Sequence, residues 1–279
     1  MDPSLRQRAA TAALLAPLLL AIVGLGPIAL EVSLLIVVSL VGREMAFLLD
    51  RIGFPAPPGG WILAPLLFLA SLHLSIPLVW EVVALGAAAL AMGWLFAGRA
   101  PRGRAAVFPA LFAHLVGVLY AGLLPAYLCR LEAGPWPGTS AAEALGVRWV
   151  VLALLMTWST DTGAYLAGTL FGRNKLWPEV SPSKTVEGAV GGVVLPVAVA
   201  VLGARWLAPG LSIPEAAILG LLVGLVAPLG DLFESRLKRQ AGVKDSGRLL
   251  PGHGGLFDRF DSLFLAAPLF HYYLQAFGR

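Results

Sequence analysis

Charge is scarce in this sequence. Only 13% of its 279 residues are Asp, Glu, Lys or Arg, while 58% are hydrophobic, against roughly one quarter charged in a soluble domain. A water-soluble fold of this size has too few charges to cover that much apolar surface, so an integral membrane protein is expected. The single cysteine, Cys129, excludes an intrachain disulfide framework. The four histidines and that cysteine make no zinc-binding set. No GxxxxGK[ST] phosphate loop is present, which argues against an ordinary soluble nucleotide site. No convincing internal repeat is present, so an inverted-repeat transporter has little direct support. No hydrophilic stretch is long enough for a separate soluble domain, and the apolar content excludes a disordered chain. The net charge of +4 is not evidence for a nucleic-acid partner, and none is expected. In a membrane protein the position of the basic residues relative to the spans is what counts.

Apolar runs fill most of the chain and point to an all-α, polytopic membrane fold with about nine spans. Their expected limits are 9–25, 28–49, 61–73, 76–97, 105–127, 147–171, 186–208, 214–235 and 257–277. Most approach the roughly 20 residues needed to cross a hydrocarbon core of about 30 Å, but 61–73 is short by that measure. Arg6 and Arg8 before the first run resemble a secretion signal. A second apolar run follows directly after Gly24–Pro27, so a tight helix pair is the better reading. With the N-terminus cytoplasmic, all of the 20 Lys and Arg except Arg130, Arg148, Arg205 and Arg279 fall at the inner face, as the positive-inside bias requires. By chemical character the chain divides into 1–146, mostly apolar scaffold, and 147–279, which holds nearly all the polar clusters.

Three clusters carry the chemistry. In Trp158–Tyr165, Asp161 lies about 15 Å before the cytoplasmic end of its span at 1.5 Å per residue. Ionisable residues at such depth face a protein interior or a wet cavity. Thr162 and Tyr165 share part of that helix face. A helix–helix polar contact is the plainer reading, and a substrate or ion cavity is favoured once the neighbouring clusters are counted. The second cluster runs from Gly168 through Arg173, Asn174 and Lys175 to Ser181-Pro182-Ser183-Lys184-Thr185-Val186-Glu187-Gly188. Ser183 or Thr185 suits a helix cap and Glu187 an early-helix carboxylate. Lys, hydroxyls and free amides at a helix start also suit phosphate, and a plain positive-inside loop fits these residues equally well.

The third cluster is the densest. Asp231 and Glu234 are three apart at the end of one helix, and Asp258 and Asp261 have the same spacing at the start of the next. Between them lie Ser235, Lys238, Arg239, Lys244, Asp245 and His253, with Arg259 following. A charge-matched surface loop is the plain alternative. Carboxylates interleaved with bases and glycines fit Mg²⁺ and phosphates better, because hard oxygens bind the metal and Lys or Arg neutralise the remaining phosphate oxygens. His253 suits hydrogen bonding, proton exchange or simple loop structure.

These residues closely resemble the phosphatidate cytidylyltransferase, or CDP-diacylglycerol synthase, family. The likeness runs through Ser235, Lys238-Arg239, Lys244-Asp245, Gly247, His253-Gly254-Gly255 and Asp258-Arg259-Phe260-Asp261 in order and spacing. Upstream it includes Asp161-Thr162-Gly163-Ala164-Tyr165, Lys175-Leu176, Ser181-Pro182, Lys184-Thr185 and Glu187-Gly188. The resemblance implies transfer of CMP from CTP to phosphatidic acid at the cytoplasmic face of a bacterial inner membrane, by a homodimer embedded in the bilayer. It also implies Mg²⁺ held by Asp231 and Asp258, with K⁺ as a possible second ion. Lys244, Asp245 and Asp261 are expected to join Asp231 and Asp258 in catalysis. Substrate contacts are expected from Asp161, Tyr165, Lys175, Ser181, Lys184, Thr185, Glu187, Ser235, Lys238, Arg239, His253 and Arg259. The rival readings are a CTP-dependent lipid or polyprenol kinase and an anion or lipid transporter.

Overall fold

The computed structural model describes residues 3–54, 60–73, 107–134, 145–208, 210–250 and 254–277. The expected span 76–97, the basic residues 99–104 and His253 lie outside them. The described residues are almost wholly helical. The helices are α1 (Pro3–Gly24), α2 (Pro27–Arg51), α3 (Leu63–His73), α4 (Val107–Val118), α5 (Leu124–Ala133), α6 (Leu145–Phe171), α7 (Val186–Gly203), α8 (Ile213–Gln240) and α9 (Phe257–Phe277). A π-helical turn, Leu119–Leu123, joins α4 to α5. Between α6 and α7, Lys175–Trp177 (β1) and Ser181–Thr185 (β2) form an antiparallel hairpin.

Five described helical stretches are long and apolar enough to cross a bilayer: Pro27–Arg51, Phe112–Ala133, Gly146–Phe171, Val186–Gly203 and Ile213–Gln240. At 1.5 Å per residue the 11-residue α3 covers roughly 16 Å, about half a hydrocarbon core. Helix limits differ from the apolar runs in informative ways. The run expected to stop at 235 continues as helix to Gln240, because Lys238 ion-pairs with Glu234 one turn back at 2.7 Å and propagates the helix past its apolar part. The run 105–127 continues to Ala133 through the π turn. The polar segment expected as a loop after α6 instead pairs as a hairpin, with Lys175 opposite Thr185 and Trp177 opposite Ser181.

The chain packs as two compact units, one of Met1–Ala126 with Phe233–Phe260, the other of Tyr127–Leu232 with Asp261–Arg279. These units follow packing, whereas the division expected at 146/147 is one of chemical character. In the first unit, α2 buries Leu30, Leu34, Val38, Val41, Met45 and Leu48 along one stripe at helical spacing. The π turn presses Gly122 against the Ala64 backbone of α3, where a side chain has no room. Tyr120 stacks on Phe233 with ring centroids 5.0 Å apart and meets Phe257 edge-on at 5.7 Å, which ties the α8 end and the α9 start into this unit.

In the second unit, α6 and α7 touch through small residues. Ala164 and Gly168 on α6 face Gly188 and Gly192 on α7, and Gly163 sits against Gly191. Four-residue spacing of small side chains lets two backbones approach closely, which is how helices associate where lipid removes the hydrophobic driving force. Gly220 and Gly224 of α8 rest on Val197 and Val193 of α7 in the same manner. The result brings the end of α6, the start of α7 and the Asp231 turn of α8 close together around the hairpin.

Candidate active site

In the second unit these helix ends enclose a cavity of about 380 Å³. Asp161 and Tyr165 of α6, Ser183, Lys184 and Thr185 of β2, and Asp231 of α8 line it. Five of those six were expected site residues, drawn from all three sequence clusters. The Lys184 ammonium lies 2.5 Å from an Asp231 carboxylate oxygen, with both side chains about one quarter to one third exposed (26% and 30%). A cation and an anion at the rim of one cavity can bind a phosphate and a metal respectively. Tyr165 presents 71% of its surface, available to a ligand rather than committed to the core.

Local chemistry sets the Lys184 position. Thr185 caps α7, its hydroxyl accepting the Gly188 amide at 3.1 Å from an extended backbone. Of the two residues suited to that cap, Thr185 performs it and Ser183 faces the cavity. The Glu187 carboxylate accepts the backbone amides of Arg173 (3.1 Å) and Asn174 (3.2 Å) and the Asn174 side-chain amide (2.8 Å). It therefore clamps the turn that enters β1, and Val186 closes the hairpin base by donating to the Asn174 carbonyl at 2.9 Å. Lys175 and Ser181 stand on the hairpin and not among the cavity-lining residues.

Gly230 is packed against the Asp261 backbone, so that a side chain there has no space. This contact places the Asp231 and Asp261 carboxylate oxygens within 4.8 Å of one another. Asp261 is buried, at 7% exposure. Two carboxylates so close repel each other unless a cation lies between or beside them. Their hard oxygen donors fit Mg²⁺.

The first unit builds a second polar centre around Asp258, at the start of α9. One Asp258 oxygen accepts the amides of Ser246 (2.9 Å) and Gly255 (2.7 Å), and the other takes the Lys238 ammonium at 2.5 Å. Lys238 also bonds Glu234, making a buried acid–base–acid chain. Gly254 adopts φ +77°, a conformation that favours glycine, and a side chain there would meet both Asp258 and Asp245. Arg239 turns back to donate to the Val243 carbonyl at 3.3 Å, while Lys244, Asp245 and Arg259 are exposed and Ser235 is half-buried.

Glu44 escaped the sequence reading. Its carboxylate accepts the backbone amides of Leu256 at 3.1 Å and Phe257 at 2.8 Å. The Ser246 hydroxyl lies 3.0 Å from Glu44 and 2.9 Å from Asp258. Its single proton serves one carboxylate at a time. Glu44 thus caps α9 from α2 and contacts Ser246, Leu256 and Phe257, beside the donors on which Asp258 depends. The only signal in the sequence was Arg43-Glu44 interrupting an apolar run.

Comparison with known proteins identifies the family. Residues 6–277 match the cytidylyltransferase family model. A phosphatidate cytidylyltransferase from Synechocystis sp. is 43% identical over 178 residues, which cover 57% of this chain and 60% of that protein. Another from Bacillus subtilis is 46% identical over 138 residues, covering 49% of this chain and 51% of its own length. One from Staphylococcus haemolyticus is 44% identical over 129 residues, 46% of this chain and 50% of the relative. The aligned stretches thus span between half and three-fifths of these relatives. With a match extending over nearly its whole length, the chain belongs to the cytidylyltransferase family.

Proposed function

We propose that this protein transfers CMP from CTP to phosphatidic acid, forming CDP-diacylglycerol and releasing diphosphate. The observation that carries the reading is the Lys184–Asp231 pair on a cavity at the ends of apolar helices. The names of the relatives support the same substrates. In the reaction, a phosphate oxygen of the lipid attacks the α-phosphorus of CTP. A new P–O bond forms there, and the bond to the bridging oxygen of the β-phosphate breaks. The nucleophile is already anionic near neutral pH, since the second phosphate pKa is about 6. A strong general base is therefore unnecessary.

Repulsion between a lipid phosphate and a triphosphate is the larger obstacle. Lys184 neutralises phosphate at the cavity, and Lys238, Arg239, Lys244 and Arg259 are proposed to do so in the first unit. Placement and fixed charge should then contribute more than proton transfer. Mg²⁺ is proposed at Asp231 and Asp258, with Asp261 as an added oxygen donor and K⁺ as a possible second ion. When bound, the metal polarises the α-phosphoryl group and stabilises departing diphosphate. Asp258, which here holds the Lys238 ammonium, would have to release it to hold the cation.

We place the protein in a bacterial inner membrane as a homodimer of nine-span chains, with N-terminus and site facing the cytoplasm. The inner-face bias of Lys and Arg and the bacterial origin of the relatives support this location. The dimer rests on the family resemblance. The test is purified protein with labelled CTP, phosphatidic acid and Mg²⁺, with lipid product and diphosphate measured separately. A labelled CDP-lipid with equimolar diphosphate is expected. CDP with a phosphorylated alcohol, or cation-coupled uptake into proteoliposomes without turnover, overturns the proposal.

A further inference from the structure

A second hollow lies wholly within the first unit, and its lining includes Lys244 and Asp245, two residues expected in catalysis. It measures about 830 Å³ and runs between the C-terminal end of α2 and the 243–249 loop. Arg43 and Arg51 line it from α2, and Lys244 and Arg248 from the loop. All four are exposed, and none forms an ion pair among the described residues. Two acids face them, Glu44 and Asp245. Glu44 already accepts the Leu256 and Phe257 amides. The hollow therefore carries an excess of two positive charges.

Both arginines are held by aromatic rings. The Arg43 guanidinium sits 5.9 Å from the Trp61 ring centre and that of Arg51 sits 5.8 Å from Phe47. A ring face attracts a guanidinium without neutralising it, so its N–H groups remain available for an oxyanion. The floor is not purely polar, because Leu40, Phe47 and Leu249 also line it. Along α2 the same side continues as Val32 and Ile36, 52% and 57% exposed. That exposed apolar stripe belongs to a helix long enough to cross the bilayer. Acyl chains on the stripe lead directly to the cations.

We propose that this hollow binds the phosphate headgroup of a lipid phosphomonoester, with Arg43, Arg51 and Arg248 as headgroup ligands. The choice of lipid rests on the proposed phosphatidate substrate. A phosphomonoester approaches two negative charges near neutral pH, matching the excess in the hollow, whereas a phosphodiester carries one. The 243–249 loop also includes Ser246, whose amide and hydroxyl contact Asp258. A lipid held here thus touches the same loop that fixes a proposed catalytic carboxylate.

Dioctanoyl phosphatidate is titrated into the detergent-solubilised full chain without CTP, alongside steady-state assays. The Arg43→Gln/Arg51→Gln variant should bind it about tenfold more weakly and show a similar rise in lipid KM. The KM for CTP should not change. Arg248→Gln, on a separate element, gives the same readout if the double variant fails to fold. Unaltered lipid affinity and KM in folded variants overturn the inference, as does equal competition by phosphatidylglycerol or inorganic phosphate. If the natural sequence binds phosphatidate yet makes no CDP-lipid, the proposed reaction fails while the binding site stands. If it makes CDP-lipid and the variants bind normally, the reverse holds.

Discussion

The Glu44 carboxylate accepts the backbone amide of Phe257 at 2.8 Å, across 213 residues of sequence. Helix starts leave amides without intrahelical partners, and at α9 the cap comes from α2 instead of the preceding residue. That bond and its companions to Leu256 and Ser246 fix the loop from which two donors reach Asp258. Replacing Glu44 by Ala should lower stability by about 1–2 kcal/mol, the usual cost of losing a cap. Turnover should fall further, because Asp258 loses its frame. Thermal unfolding in detergent and CMP transfer, measured on the same preparation, decide the matter. Natural stability together with natural turnover would show that Glu44 does not hold the loop.

Lys238 sits between Glu234 and Asp258 with only 9% of its surface exposed. Removing the cation leaves two buried carboxylates facing each other, and breaking a buried pair typically costs about 3–5 kcal/mol. Lys238→Met should therefore be among the most destabilising single changes in this loop. Adding Glu234→Gln removes one of the stranded charges and should recover part of the loss. A double-mutant cycle on unfolding midpoints gives the coupling. Additive effects of the two substitutions would mean that the contact carries no mutual energy.

What could be read in advance follows the range of the forces involved. The all-helical membrane character was legible because apolar run length is a local property, and 257–277 even has the limits of α9. Asp161, Lys184 and Asp231 were each singled out by type and position, and the cavity does gather them. Their pairing was not legible, since Lys184 faces Asp231 only after α7 and α8 pack through Gly220 and Gly224. The hairpin was hidden because its strands, of three and five residues, are too short to display the alternating apolar pattern that marks a half-buried strand. Glu44 was hidden for a different reason. Its partners are backbone amides, which every sequence offers, so no residue type announces the contact.

Close packing of α6 on α7 gives a second route to inactivity, distant from charge. A side chain on Gly191 would meet Ala167 and the Gly163 backbone. Gly191→Val must separate the helices, at a cost of about 1–3 kcal/mol or more for overpacking. Asp161 and Tyr165 ride on α6 and Thr185 starts α7, so the cavity widens as the helices part. Transfer should fall while Gly191→Ala, the smaller step, falls less. An activity order of glycine, alanine and valine that fails to decrease would detach the cavity from this contact.

The Lys184–Asp231 pair separates stability from chemistry. Both side chains are partly exposed, and ion pairs in such positions contribute at most about 1 kcal/mol. Asp231→Asn and Lys184→Ala should thus leave unfolding midpoints nearly unchanged. Transfer should respond very differently, because a removed metal ligand or phosphate-binding cation is felt most where charge develops in the transition state. Loss of a single such electrostatic contact costs on the order of a hundredfold to a thousandfold in rate. Asp231→Asn should also raise the Mg²⁺ concentration needed for half-maximal activity, whereas Lys184→Ala should raise KM for a phosphate-bearing substrate. Magnesium titrations at fixed CTP distinguish the two roles. An unaltered magnesium requirement in a folded, partly active Asp231→Asn protein would remove Asp231 from the metal and leave it only as the counter-ion that orients Lys184.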